Sequence, residues 1–201
     1  RSLANGNTPL LAAAAGDAFI ERLCVDPDGR AMEGYPRGSV RAELSAEAVA
    51  DKIRPVFSEE NTPALFAALN GDLSRLTPAS LLTAAETDQP LQEIAAETVK
   101  KFCVMLQALH CLYAAEHVNL YGFGFTPEHL ELIRKTAEEF AGEAFAQSIL
   151  LCPIGDRYHF LSGCTYIIQA GFYQRGGLVW PQTVHTAARS EEHTSELQSR
   201  R

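Results

Sequence analysis

Long apolar runs are missing from this chain, and so is any excess of positive charge. No stretch reaches the roughly 18 consecutive apolar residues that span a bilayer, and no leader with a charged start and an apolar middle is visible. Neither a membrane span nor a membrane partner is expected. Seventeen Lys and Arg stand against 25 Asp and Glu, a formal charge of −8. No basic stripe is therefore available to neutralise phosphates, and nucleic acid is not an expected partner. Cysteine is sparse and odd in number: Cys24, Cys103, Cys111, Cys152 and Cys164 sit in apolar surroundings. Such a set reads as reduced, buried residues of a cytoplasmic protein rather than as a disulfide framework. A repeat is also lacking, because no fixed period separates the Thr-Pro pairs at Thr8, Thr62, Thr77 and Thr126. They are helix punctuation and not repeat architecture.

What is present is clearest between Glu116 and Gly155. His117–Tyr121 is short and apolar enough for a buried strand, and Gly122-Phe-Gly-Phe-Thr126 breaks it with two residues free to adopt positive φ. Thr126 at N-cap and Pro127 at the first helical position start a helix in which Leu130, Ile133, Ala137, Phe140, Ala141 and Ala144 recur on one face. Ser148–Cys152 follows as a second apolar strand closed by Pro153. Strand, crossover helix and strand of these lengths predict a parallel pair, Val118–Tyr121 beside Ile149–Cys152, with Glu128–Phe140 crossing between them. In such sheets ligands sit outside the carboxyl ends of the strands, where Gly122 and Gly124 fall.

Upstream, Thr8-Pro9 is a plausible helix start in an Ala-rich segment, and Asp26-Pro-Asp-Gly29 is a turn. Arg30–Met32 could complete a hairpin, although Gly34, Pro36 and Gly38 suggest a loop. Ser45 caps a short helix with Ala48, Val49, Ile53 and Val56 that stops near Pro55, Asn61–Leu69 is a helix closed by Asn70-Gly71, and Thr77-Pro78 begins another through Ala85. Asp88 then caps a long helix from Pro90 to about Glu116. Its stripe of Leu91, Ile94, Ala95, Thr98, Phe102, Met105, Leu106, Leu109, Leu112 and Tyr113, joined by Val99, Cys103, Val104 and Ala108, predicts a C-terminal half buried nearly all round.

The fold class expected is α/β, largely helical with a small, mainly parallel sheet. Residues 1–75 form a helical and loop-rich part, 76–178 an α/β lobe, and 179–201 a tail. The segment Arg189–Ser199 is similar to the conceptual translation of a sequencing-library adapter, so Arg189–Arg201 is expected to add nothing to the core. With Arg1 in place of an initiator Met, the expectation is a piece of a longer protein.

Among candidate chemical groups the Gly122/Gly124 turn ranks first. It either lets a nucleotide approach the backbone at a helix N-terminus or is an ordinary strand-to-helix turn. The third glycine of a dinucleotide fingerprint is absent, and Glu128 places negative charge where a phosphate would lie. Cys103, His110, Cys111 and His117 share one helix, but seven residues of helix span roughly 10 Å, too far for ligands each about 2 Å from one zinc. Packing explains them better. Cys152 with His159 as a nucleophile pair is equally unsupported, and Asp26, Asp28, Asp72 and Asp156 sit in turns that they cap.

Across Leu76–Phe172 the pattern resembles the C-terminal lobe of the actin-like (ribonuclease H-like) sugar kinases, the glucokinase and ROK group. There a segment similar to LLTAAETDQPLQEIAAETVKKF leads into a long helix, a buried strand, a glycine turn, a helix, a strand and a final helix opening on small residues. These parts are matched by Leu81–Phe102, Val118–Tyr121, Gly122–Phe125, Glu128–Phe140, Ile149–Cys152 and Leu161–Ala170. The resemblance implies an ATP-dependent kinase of a sugar or similar small metabolite, with ATP and Mg as cofactors. Adenosine would lie beside Gly122 and Gly124, and Gly163 with Cys164 would supply the small pair of the last helix. The chain has Gly-Phe-Gly-Phe where the group has consecutive glycines. It lacks the Asp-x-Gly-x-Thr phosphate loop, the catalytic Asp and the zinc-binding cysteine cluster, so the resemblance puts the catalytic lobe outside this sequence. The alternative is a noncatalytic α/β interaction or scaffold domain.

Overall fold

The computed structural model of the chain describes residues 2–5, 8–11 and 20–152, which belong to one unit, Arg1–Pro153. The expected helix over Leu161–Ala170, Gly163 and Cys164 within it, His159, and the tail from 179 onward lie outside the described residues.

At the start, strand β1 (Ser2–Asn5) pairs antiparallel with β2 (Thr8–Leu11), Asn5 opposite Thr8 and Ala4 opposite Pro9. Thr8-Pro9 therefore opens a strand and not a helix. A two-stranded pair consists only of edges, where the missing N–H of Pro9 need not break a ladder. After a single 3-10 turn at Ile20–Arg22, the Asp26–Gly29 turn closes as expected, with the Gly29 N–H donating to the Asp26 carbonyl at 3.0 Å. No full hairpin follows. Isolated bridges join Cys24 to Ser39 and Met32 to Tyr35, and the Gly38 carbonyl accepts from the N–H of Val25 at 2.8 Å. Gly38 is held at φ 61°, and a Cβ there would stand 1.5 Å from the Asp26 carbonyl oxygen. Only glycine allows this crossing.

Helix α1 (Val40–Leu44), capped by Ser39, runs directly into α2 (Ala46–Ile53), capped by Ser45, whose Oγ accepts from the Ala48 N–H at 3.1 Å. The second was legible; the first, of five residues, is too short to show a period. Helix α3 (Pro63–Leu69) ends as its sequence indicates, with Asn70 at φ 53° and Gly71 at φ 73°. Helix α4 (Pro78–Ala85) opens with a reciprocal capping box between Thr77 and Ser80. The long helix is α5 (Gln89–Tyr113). Asp88 precedes it but makes no cap bond to it. Its buried carboxylate instead accepts from Ala64 N–H at 3.2 Å and Leu65 N–H at 2.9 Å, capping α3, while the Thr62 hydroxyl is turned back onto Ser58.

Strand β3 (Val118–Leu120) pairs parallel with β4 (Ile149–Leu151), in the register Val118 to Ile149. The Cys152 N–H extends the pairing to the Leu120 carbonyl at 3.0 Å. Helix α6 (Pro127–Ala141) connects them, followed by a short α7 (Glu143–Ser148). Residues 143–148 carry no long period, but Gly142 at φ 84° turns the chain sharply between the two helices. The described architecture is thus mostly helical with a small parallel pair, and among the described residues no helix is long and apolar enough to cross a membrane.

One apolar cluster runs from Ile53 of α2 and Leu65 of α3 through Leu81, Leu91 and Cys103 to Ile133 and Ile149, all almost fully buried. It joins residues on both sides of the Arg75–Leu76 junction. Along α5 the buried apolar positions are Leu91, Ala95, Val99, Cys103 and Leu106, a single stripe, and Lys101 is buried beside it. The end of this helix is not buried all round: Leu112 is 59% exposed and Cys111 is exposed. Apolar flanks such as Val104 and Ala108 are half-buried, because one helical stripe can face only the elements that pack against it.

The two positive-φ glycines of the loop provide a controlled comparison. Gly34→Ala, at φ 79° with nothing within 4 Å of its added Cβ, should cost about 1–2 kcal/mol from the left-handed backbone alone. Gly38→Ala should cost about 1–3 kcal/mol more, from overlap with the Asp26 carbonyl. Urea unfolding of the two variants checks this; equal losses would show that the crossing is not tight.

Candidate functional site

The turn after β3 takes the shape its glycines permit. Gly122 has φ 80° and Gly124 φ 68°. A Cβ at Gly122 would meet nothing within 4 Å, and one at Gly124 would touch only the Ala79 Cβ at 3.5 Å. Glycine is required here by backbone conformation and not by crowding.

Two left-handed residues separated by one position place Phe123 and Phe125 side by side. Their rings stack at 5.3 Å with 22° between planes, and Phe102 of α5 meets both edge-on at 5.7 and 6.1 Å. Below the turn, the Thr126 hydroxyl accepts from the His129 N–H at 3.4 Å, and the Thr126 N–H donates to His129 Nδ1 at 3.2 Å. This capping box is built with histidine instead of an acid. Because Nδ1 accepts, the ring hydrogen sits on Nε2, which faces the Thr83 hydroxyl at 3.2 Å. His129 is buried, so its ring ties α6 to α4 beside the turn.

A cavity of about 260 Å³ lies against this turn. Phe123 and Phe125 wall one side, Phe102 and Met105 of α5 another, and Val40, Leu44, Ala46 and Val49 bring α1 and α2 to it. Among the described residues no charged one lines it, and the polar side chains that do are Thr77 and Thr98. Both hydroxyl hydrogens are committed, that of Thr77 to Ser80 Oγ at 3.1 Å and that of Thr98 to the Ile94 carbonyl at 2.7 Å. Gly122 and Gly124 themselves do not line the cavity; they aim the phenylalanines that do. The sequence signal for those rings was the Gly-Phe-Gly-Phe alternation, which was read for its glycines alone.

Cys103, His110, Cys111 and His117 are not brought together. The Cys103 thiol donates to the Ile133 carbonyl at 3.4 Å, and burial pushes it up to about 12, leaving it inert as a nucleophile. His110 packs edge-on to Phe145, while Cys111 and His117 are exposed. Cys152 is half-buried at the end of β4.

A second grouping escaped sequence reading. Carboxylate oxygens of Asp26, Glu43 and Glu97 converge to within 4.8 Å of one another. The Lys101 ammonium stands among them, 2.8 Å from Asp26, 2.6 Å from Glu43 and 2.5 Å from Glu97. Lys52 adds contacts of 2.9 Å to Glu43 and 3.2 Å to Glu97, and the Arg30 N–H donates to Glu43. The cation place is filled by lysine, so the cluster is a structural ion network and not a metal centre. Asp26 and Asp72 do cap their turns, accepting from the N–H groups of Asp28 and Ser74. The second role of Asp26, toward a lysine 75 positions away, has no local signal.

Burial would raise the Glu43 carboxyl, but hydrogen bonds from Lys101, Arg30 and Lys52 outweigh it and hold it at about 2. Burial likewise works against the Lys101 charge, and bonds to Asp26, Glu43 and Glu97 reverse this and raise it well above the usual lysine range. Glu43 therefore contributes stability that is complete above its unfolded value near 4.5 and is lost as pH falls toward 2. Lys101 contributes stability that is complete below 10.5 and is lost only at higher pH. Glu43→Gln should destabilise the chain by about 1–3 kcal/mol at pH 7, since it removes the carboxylate that Lys101 and Lys52 share and leaves Asp26 and Glu97 alone to balance them. The gap from the parent should narrow as the pH is taken from 5 to 2. Urea midpoints across that range measure it, and a gap independent of pH would refute the assignment.

No family model, no curated protein and no solved structure matches this chain.

Proposed function

We propose that this chain is a noncatalytic α/β binding domain whose small-molecule ligand occupies the cavity under the Gly122–Gly124 turn. The observation that carries this reading is the place of the cavity. Two of its walls, Phe123 and Phe125, follow directly on the carboxyl end of parallel strand β3, the position where sheets of this kind receive ligands. Phe123 is 38% exposed and forms an accessible side. Among the described residues no acid, base or nucleophile lines the cavity, so the reading assigns no reaction. The described cysteines are free, which supports a reducing compartment such as the cytoplasm.

A second reading is the lobe of an ATP-dependent kinase of a sugar or similar small metabolite, with an actin-like fold. It is favoured by one observation, the parallel β3–β4 pair joined by α6 with left-handed glycines at Gly122 and Gly124, where the resemblance puts adenosine. The residues fit the cofactors poorly. Among the described residues no cationic side chain lines the cavity for phosphates, Glu128 occupies the first turn of α6, and the carboxylates that could hold Mg are paired with Lys101 and Lys52.

Calorimetric titration of the chain with adenosine and with Mg·ATP separates the two. On the binding-domain reading, Mg·ATP binds no more tightly than adenosine. If Mg·ATP binds about a hundredfold or more tighter, a gain of about 2.7 kcal/mol that only recognised phosphates supply, the kinase reading replaces it. Gly122→Ala, which has open space around its Cβ but is strained at φ 80°, should then reduce that affinity while costing no more stability than Gly34→Ala, its counterpart at φ 79°.

A further inference from the structure

Resting on the cavity reading above, we infer that the ligand is a neutral, hydrocarbon-rich molecule of about two fused aromatic rings, held by shape and ring-edge contacts and not by hydrogen bonds. Size sets the first limit. An apolar cavity of about 150 Å³ accommodates one benzene, whereas this one measures about 260 Å³ and takes a bicyclic ring system.

Polarity sets the second. The hydrogens of Thr77 and Thr98 are already given to Ser80 and Ile94, so among the described residues that line the cavity no side-chain donor remains for a phosphate oxygen or a ring nitrogen. A ligand carrying either group would lose its water and gain no partner. With Leu81, Val99 and Ile133 completing the walls, the environment rewards apolar area alone.

Shape selects an aromatic ring within that class. Phe123 and Phe125 are stacked on each other, and Phe102 presents its ring edge-on to both. A flat ring entering among them continues the same edge and face contacts, and the Met105 sulfur adds a polarisable wall. Residues of α1 and α2 line a further side of the cavity, and Ala46, the first residue of α2, lines it while exposed to solvent. A larger side chain at that position covers the cavity without entering the core.

The test uses prodan, a neutral naphthalene fluorophore, titrated into the intact chain with naphthalene, adenosine and Mg·ATP as competitors. Prodan emission should shift to the blue and saturate at one probe per chain, naphthalene should displace it, and the nucleotides should not. Ala46→Trp should weaken prodan by about tenfold with the melting temperature unchanged, and Phe123→Ala should weaken it by about threefold, since each removes or obstructs ring contacts. Displacement by adenosine or Mg·ATP overturns the ligand class while leaving the cavity as a binding site. Prodan binding unchanged in both variants overturns it as well, because the probe then sits elsewhere. Failure of prodan, naphthalene and nucleotides alike to bind overturns both this inference and the binding-domain reading.

Discussion

The ammonium of Lys101 is the contact on which the described structure most depends. It projects from the middle of the longest helix and reaches Asp26 in the loop, Glu43 in α1 and Glu97 one turn back on its own helix. Glu43 is 1% exposed, and a lone carboxylate at that depth would not stay charged. Two lysines and a backbone N–H make its charge tolerable. In return the network anchors the α1–α2 segment, which contributes only short helices, against α5. That segment supplies Val40, Leu44, Ala46 and Val49 to the cavity, so an electrostatic contact on one side of α1 holds an apolar wall on the other.

Helix ends show a second economy, in which one residue links two elements. Asp88 lies where the chain enters α5, yet its carboxylate satisfies the otherwise unpaired N–H groups at the start of α3. His129 completes the capping box of α6 through Nδ1 and binds α4 through Nε2. In each case a group that local rules assign to its own helix also fixes the distance to a neighbour. The position of α4 beside α6, and with it the floor beneath the glycine turn, rests on such a contact.

At the turn itself the chemistry is apolar. Left-handed glycines after a parallel strand permit close backbone approach to a phosphate, and the same conformations here serve to stack two phenylalanines over a cavity. The N-terminal end of α6 is occupied by its own capping box and carries Glu128. Among the described residues that line the cavity beside the turn none is charged.

Local rules were sufficient wherever the decisive interaction lies within one turn of chain. Thr126-Pro127, Ser45, Thr77-Pro78 and Asn70-Gly71 were readable as helix limits because caps and left-handed residues act over three or four positions, and the β3–β4 pair was readable because its crossover has a length that only parallel strands need. Gly122 and Gly124 were readable as positive-φ positions for the same reason. The strand at Thr8, the five-residue α1 and the short α7 were not, because such segments are too brief for a period and take their form from what they pair with. Leu112 shows the converse error, an apolar residue left exposed because composition does not say how far a neighbour extends. The Lys101 network, the transfer of the Asp88 cap to α3 and the ring cluster over the cavity belong to tertiary structure alone. Their long-range contacts join residues from 21 to 75 positions apart, and a side chain's partner at that separation is decided by how the helices pack and not by anything adjacent to it in the chain.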